Sequence, residues 1–130
     1  MSFEVFLCPV GTRPLSSALP ATHAIQRWLE GQPHVRRLER WAAYYNPNTS
    51  AELQVDWSDS HICWTLPVCR TRATALEAAA LLERFCRELG VRPLWWPAES
   101  EADLAGVAGA IVTRWDLAND AARHALSQAP

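Results

Sequence analysis

Residues 52–66 read ELQVDWSDSHICWTL, and their pattern decides the fold class. Leu53, Val55 and Trp57 alternate with Glu52, Gln54 and Asp56, and Ile62, Trp64 and Leu66 alternate in the second half. Period-two alternation marks a strand with one buried face. A turn at Asp59-Ser60 pairs the two strands so that Trp57 stands opposite Ile62 and Val55 opposite Trp64. Both apolar sets then share one face without a slip in register. The same register gathers Glu52, Gln54, Asp56, His61, Cys63 and Thr65 on the other face, which meets solvent, a ligand or a partner.

Upstream of this hairpin, Phe3 to Leu7 is expected as a strand with apolar residues on both faces, hence an internal one. After Pro9, Gly11 and Pro14, a helix starts around Leu19 to Ala21. Pro20 is permitted in its first turn, Ile25, Trp28 and Leu29 lie on one side, and Gly31 ends it. Arg37 to Tyr45 reads as one aromatic strand whose inward side is undecided, because Trp41, Ala43 and Tyr45 compete with Leu38, Ala42 and Tyr44. The cluster Asn46-Pro47-Asn48-Thr49-Ser50 is a loop.

Downstream, a helix is expected after Thr74, with Glu77 completing a capping box, through Leu82, Phe85 and Leu89 to Gly90. Val91 to Trp96, bracketed by Pro93 and Pro97, is expected as an edge strand, since proline lacks the amide a central strand needs. Ser100 and Asp103 signal a last helix carrying Leu104, Val107, Ile111, Trp115 and Ala122. The order β-α-β-β-β-α-β-α predicts an α+β fold: a single mixed, mostly antiparallel sheet with helices packed on one face, in one domain over residues 1–130.

Composition narrows the function. All twelve basic residues are arginine, and seven residues are tryptophan. Both types concentrate where proteins bind one another, although core packing and codon bias produce the same counts. The net charge of −2 and a single basic cluster, Arg36, Arg37 and Arg40 diluted by Glu39, argue against a nucleic-acid partner. No apolar run reaches the ~18 residues of a membrane span. Glu4 stands where a secretory leader would be basic, so the expected compartment is the cytoplasm. Cys8, Cys63, Cys69 and Cys86 lack C-x-x-C or zinc-ligand spacing and read as structural thiols.

No motif carries chemistry. His61 and Cys63 share a face about 7 Å apart along one strand, but same-face neighbours are inevitable on a sheet. Asp56 with Asp59 reads as hairpin chemistry. Glu99, Glu101 and Asp103 read as acids at a helix start. His23, His34, His61 and His124 are scattered, so no metal is expected, and the glycines at 11, 31, 90, 106 and 109 form no phosphate loop, so no cofactor is expected. The expectation is a protein that is not an enzyme and binds another protein. The interface candidates are Trp95, Trp96 and Arg92, then Tyr44 and Tyr45, then Asp56, Asp59 and His61, because adjacent aromatics on a strand point to opposite faces. Self-association into a homodimer would cover the same rings. The alternative is a small-ligand-binding protein or enzyme using the polar face of the 52–66 hairpin.

Three short motifs carry a resemblance: the turn Tyr45-Asn46-Pro47-Asn48-Thr49, the helix segment Leu76-Glu77-Ala78, and Trp115 with Asn119 four residues later. With the alternating strands between them, the region from Arg40 to Trp115 resembles small bacterial proteins, some of which are similar to immunity proteins of polymorphic toxin and secretion systems. That resemblance implies a protein that neutralises a cognate toxin by direct contact, and it carries over no catalytic residue. This chain departs from the pattern at Ser50-Ala51, where similar sequences have a glycine turn.

Overall fold

A computed structural model describes residues 2–9, 19–96 and 106–128. The fold is α+β. Three helices accompany one six-stranded antiparallel sheet among the described residues: β1 (Ser2–Pro9), α1 (Thr22–Glu30), β2 (Val35–Leu38), β3 (Trp41–Tyr45), β4 (Glu52–Trp57), β5 (Ile62–Pro67), α2 (Arg72–Leu89), β6 (Val91–Pro93) and α3 (Val107–Ser127). The strand order is β2-β3-β4-β5-β1-β6, so β1 is internal and β2 and β6 are the edges. Every pairing is antiparallel, within the mostly antiparallel sheet expected: β2 to β5 follow one another as neighbours, and β1 lies antiparallel between β5 and β6, the two strands that α2 connects.

The 52–66 hairpin has the expected register, with Trp57 opposite Ile62 and Val55 opposite Trp64. Extended across the sheet, that phase puts Val5, Leu7, Ala42, Tyr44, Leu53, Val55, Trp57, Ile62, Trp64 and Leu66 on one face, all buried. Helices cover this face. Phe85 of α2 meets Trp64 edge-on at 5.0 Å between ring centres and Trp28 of α1 at 5.1 Å. Such edge-to-face pairs match the quadrupoles of the rings and add to the gain from burial.

Three expected boundaries move. The stretch read as one strand over 37–45 is a second hairpin, Leu38 pairing with Trp41 across Glu39-Arg40. Glu39 takes φ 45°, the left-handed conformation that a two-residue hairpin turn demands, without the glycine or asparagine that would announce it. The helix expected after Thr74 begins at Arg72. Its cap is Thr71, whose hydroxyl accepts the Thr74 N–H, and Glu77 turns elsewhere. Gly90 ends α2 at φ 67°, as glycine does in a left-handed cap. β6 stops at Pro93, so Trp95 and Trp96 lie in a turn and not on a strand. The expected start of the last helix at Ser100 and Asp103 lies outside the described residues.

The motifs behind the resemblance act as fasteners. Asn46 accepts the Asn48 N–H through its side chain, while Tyr44 and Asn46 both donate to Glu77 of α2, tying β3 and its turn to the helical layer. Trp115 donates from Nε1 to the Pro67 carbonyl at 2.8 Å, and buried Asn119 accepts the Cys69 N–H, so α3 holds both sides of the β5–α2 connection. Ser50 adopts φ 67°, a left-handed conformation that glycine favours.

Candidate functional site

The second face of the sheet carries no helix among the described residues, and its composition follows from the same alternation. Trp41 pairs with Asp56, Ala43 with Gln54 and Tyr45 with Glu52, which places Trp41, Ala43 and Tyr45 on the open side. Leu38 joins them because it pairs with Trp41. Across β5 and β1 the face continues through Cys63, Thr65, Pro67 and Phe6. Four large apolar side chains stand here: Leu38 and Tyr45 are each 51% exposed, Phe6 45%, and Trp41 is half-buried. Scattered exposed apolar side chains are ordinary; several on one uncovered face make it a candidate contact surface. Between Tyr45, Glu52, Gln54, Thr65 and Pro67 the face dips into a shallow open depression of about 430 Å3.

The sequence candidates separate. Tyr45 is on this face, whereas Tyr44 is turned inward and is 9% exposed. Burial, reinforced by its hydrogen bond to the Glu77 carboxylate and by that group's charge, raises the Tyr44 phenol above its ordinary pKa. Burial opposes ionisation of Glu77, but hydrogen bonds from Tyr44, Thr49 and Asn46 outweigh it and hold the carboxyl below its ordinary value. Tyr44 is therefore a structural donor and is withdrawn from the interface candidates.

Trp95, Trp96 and Arg92 form a cluster of their own beside β6. The two indoles meet edge-on at 5.8 Å, the Arg114 guanidinium lies 4.0 Å above the Trp95 ring, and Arg92 donates to the Trp96 carbonyl. Both rings are half-buried against the core, although opposite faces of one strand were expected to leave one of them exposed. The turn at 94–96 removes the alternation on which that expectation rested. Leu94, 65% exposed, is the outward residue here.

At the hairpin tip, His61 lies between two partners. Its Nε2 is 2.7 Å from Asp56 Oδ2 and its Nδ1 is 2.7 Å from Ser58 Oγ. Ser60 donates its N–H to the same Ser58 oxygen, and Asp59 is exposed at the apex. A Ser–His–Asp chain has the connectivity of an activated nucleophile, but acyl transfer also needs donors aimed at a developing oxyanion and a place for substrate. The Ser60 N–H is used on Ser58 itself, and the depression lies elsewhere on the face. Cys63 is not paired with His61: it sits opposite Asp56, buried, and burial together with the charges of Asp56 and Glu4 raises its thiol pKa. A thiol held protonated is a poor nucleophile.

Among the described residues no cluster of three or more potential metal ligands occurs, and no helix is long and apolar enough to cross a membrane. The four cysteines are free thiols. Sequence reasoning missed Leu38, Trp41 and Phe6 as surface residues. The signal for Leu38 and Trp41 was the Glu39-Arg40 turn, which sets both residues on one face once it is placed. No protein-family model, curated protein or solved structure matches this chain.

Proposed function

We propose that this chain is a protein-binding protein that works through the uncovered face of its sheet. Its most concrete role is that of an immunity protein, neutralising a cognate bacterial toxin by direct contact. The carrying observation is the row Leu38, Trp41, Tyr45 and Phe6 on a face that no described helix covers. Tryptophan and tyrosine are the side chains that most often dominate binding energy, and Glu52, Gln54 and Asp56 beside them supply a polar rim. The toxin assignment rests on the resemblance of the 40–115 region alone. Binding would occlude the toxin's active site or block its closure. Co-expression with the product of the neighbouring gene tests it: rescue of growth by the natural chain and loss of rescue on Trp41→Asp or Tyr45→Asp is expected. Absence of both rescue and complex ends the toxin reading.

A second reading follows from the Ser58–His61–Asp56 chain, an ester-hydrolysing site at the hairpin tip. A fluorophosphonate probe that labels Ser58 in the natural protein and not in His61→Ala would support it. No labelling at high probe concentration would leave the triplet as a hairpin fastener.

A further inference from the structure

The two edges of the sheet are built differently. β6 is three residues long, and Pro93 removes one of the amides its free side would present. The Leu94 N–H is engaged by the Phe6 carbonyl. The opposite edge, β2, contains no proline. The bond from the Tyr45 N–H to the His34 carbonyl sets the phase of the β2–β3 ladder, so positions 34, 36 and 38 bond to β3, and Val35 and Arg37 turn their N–H and C=O groups away from it. Among the described residues no other backbone group reaches those of Val35 and Arg37.

Charge selects what can pair there. Arg36, Arg37 and Arg40 crowd this end. Arg37 is engaged by Glu30 and the Glu39 carbonyl, but Arg36 and Arg40 are exposed and have no carboxylate partner among the described residues. Of the acids on the neighbouring face, Glu52 is matched by Arg70 and Asp56 is hydrogen-bonded to His61, while Glu4 stands on β1, four strands away from this edge. A second copy of this chain is a poor occupant. Full antiparallel self-pairing would set Arg36 directly opposite its own counterpart, at the close spacing of a non-hydrogen-bonded pair, where like charges repel.

From this we infer that the β2 edge receives an extended, acidic segment of the partner protein, which adds a strand beside Val35–Leu38. The inference rests on the protein-binding reading and names the chemistry of the partner. Because strand neighbours share faces at every second position, the docked segment carries an acid beside Arg36 and a large apolar residue two positions away beside Leu38. The backbone of Val35 and Arg37 supplies the affinity common to any strand. Arg36 and Leu38 supply the choice among strands.

Selection from a random seven-residue peptide display library against the full chain tests this. Enriched peptides should carry Asp or Glu and a large apolar residue two positions apart. Their synthetic forms should lose at least tenfold in affinity on Arg36→Glu, and as much when the peptide backbone amides are N-methylated. They should also weaken steeply with added salt. Arg36→Lys, which keeps the charge, should retain most of the binding and separates charge from loss of fold. Enrichment without acids, or binding insensitive to Arg36→Glu, overturns the inference. Peptides lost on Tyr45→Asp but not on Arg36→Glu would overturn it while leaving the protein-binding reading in place. No enrichment at all overturns the inference and leaves the protein-binding reading to the co-expression test. A sedimentation mass of two chains that falls to one on Val35→Pro, which removes an outward amide of this edge, would identify a second copy, and not an acidic segment, as the occupant.

Discussion

The covered and open faces of the sheet are made of the same strands, often of neighbouring residues, yet they are built to different standards. Trp64 and Trp41 show it. Trp64 has no exposed surface and sits under Phe85, whereas Trp41 is half-buried on the open side next to Leu38 and Asp56. The first ring holds two layers together. The second covers only its neighbours and leaves part of its surface in water. A face that folding does not need for stability is where binding residues can be kept at little cost to the fold.

The largest effect that can break this contrast is truncation. Trp64→Ala should destabilise by about 3–5 kcal/mol, the range for a large aromatic removed from a packed core. Trp41→Ala should cost clearly less, about 1–2 kcal/mol, because the ring is only partly buried and its removal leaves no enclosed cavity. Urea denaturation followed by circular dichroism measures both. Similar losses for the two would mean that the open face is a second core and would remove the argument for a free surface.

A finer test compares indoles within the covered layer. Trp115 Nε1 donates to the Pro67 carbonyl, while the buried Nε1 atoms of Trp57 and Trp64 have no partner among the described residues. Replacing Trp115 by Phe strands a carbonyl that Trp115 had satisfied; replacing Trp64 by Phe removes a donor that nothing satisfied. Trp115→Phe should therefore be the more destabilising by about 1–2 kcal/mol, because an orphaned buried polar group costs about that much. Equal losses would show that Pro67 finds another donor.

How much of this was legible in the sequence depends on the distance over which each feature is decided. The 52–66 hairpin was readable because its alternation and its turn lie within fifteen consecutive residues, and one register satisfies both strands. The 37–45 stretch was not, because the left-handed residue in its turn is Glu39, which carries none of the usual turn chemistry. Placing that turn makes Leu38 and Trp41 face-mates and settles which tyrosine is open, so one missed residue hid half of the candidate surface. Glu77 was read as a cap because its neighbours in sequence suggested one. Its actual partner, Tyr44, is thirty-three positions away, a separation at which local patterns carry no information.

That long-range pair makes a pH test of the covered side. Tyr44 keeps its proton and donates to a Glu77 carboxylate held below its ordinary pKa. A depressed carboxyl contributes stability that is present above its unfolded value of 4.5 and is lost as pH falls through the lower folded value. The raised phenol contributes stability that is whole below its unfolded value of 10.0 and is lost as pH rises through the higher folded value. Tyr44→Phe should cost about 1–2 kcal/mol at neutral pH, a hydrogen bond to a charged group. It should also flatten the loss of stability below pH 4.5 and above pH 10. Thermal melts across that range would show it, and an unchanged acid limb would mean that Glu77 keeps its bonds from Asn46 and Thr49 without the tyrosine.

The smallest expected effect sharpens the contrast most. Asp56 and His61 are hydrogen-bonded at 2.7 Å, but their side chains are 47% and 40% exposed, and pairs so open to water contribute little to stability. Asp56→Ala should move the melting midpoint by only a degree or two, corresponding to less than about 1 kcal/mol. Tyr45→Ala, half-exposed on the same side, should behave alike. If the open face is the binding surface, these two variants fold as the natural chain does and yet bind the partner less well. Stability and affinity then separate by face: substitutions on the covered side lower both together, and substitutions on the open side lower affinity alone. Thermal melts and affinities measured on one panel of variants from each side would reveal that separation. A variant on the open side that loses the fold, or a panel in which affinity follows stability on both sides, would show that the two faces do not divide the work in this way.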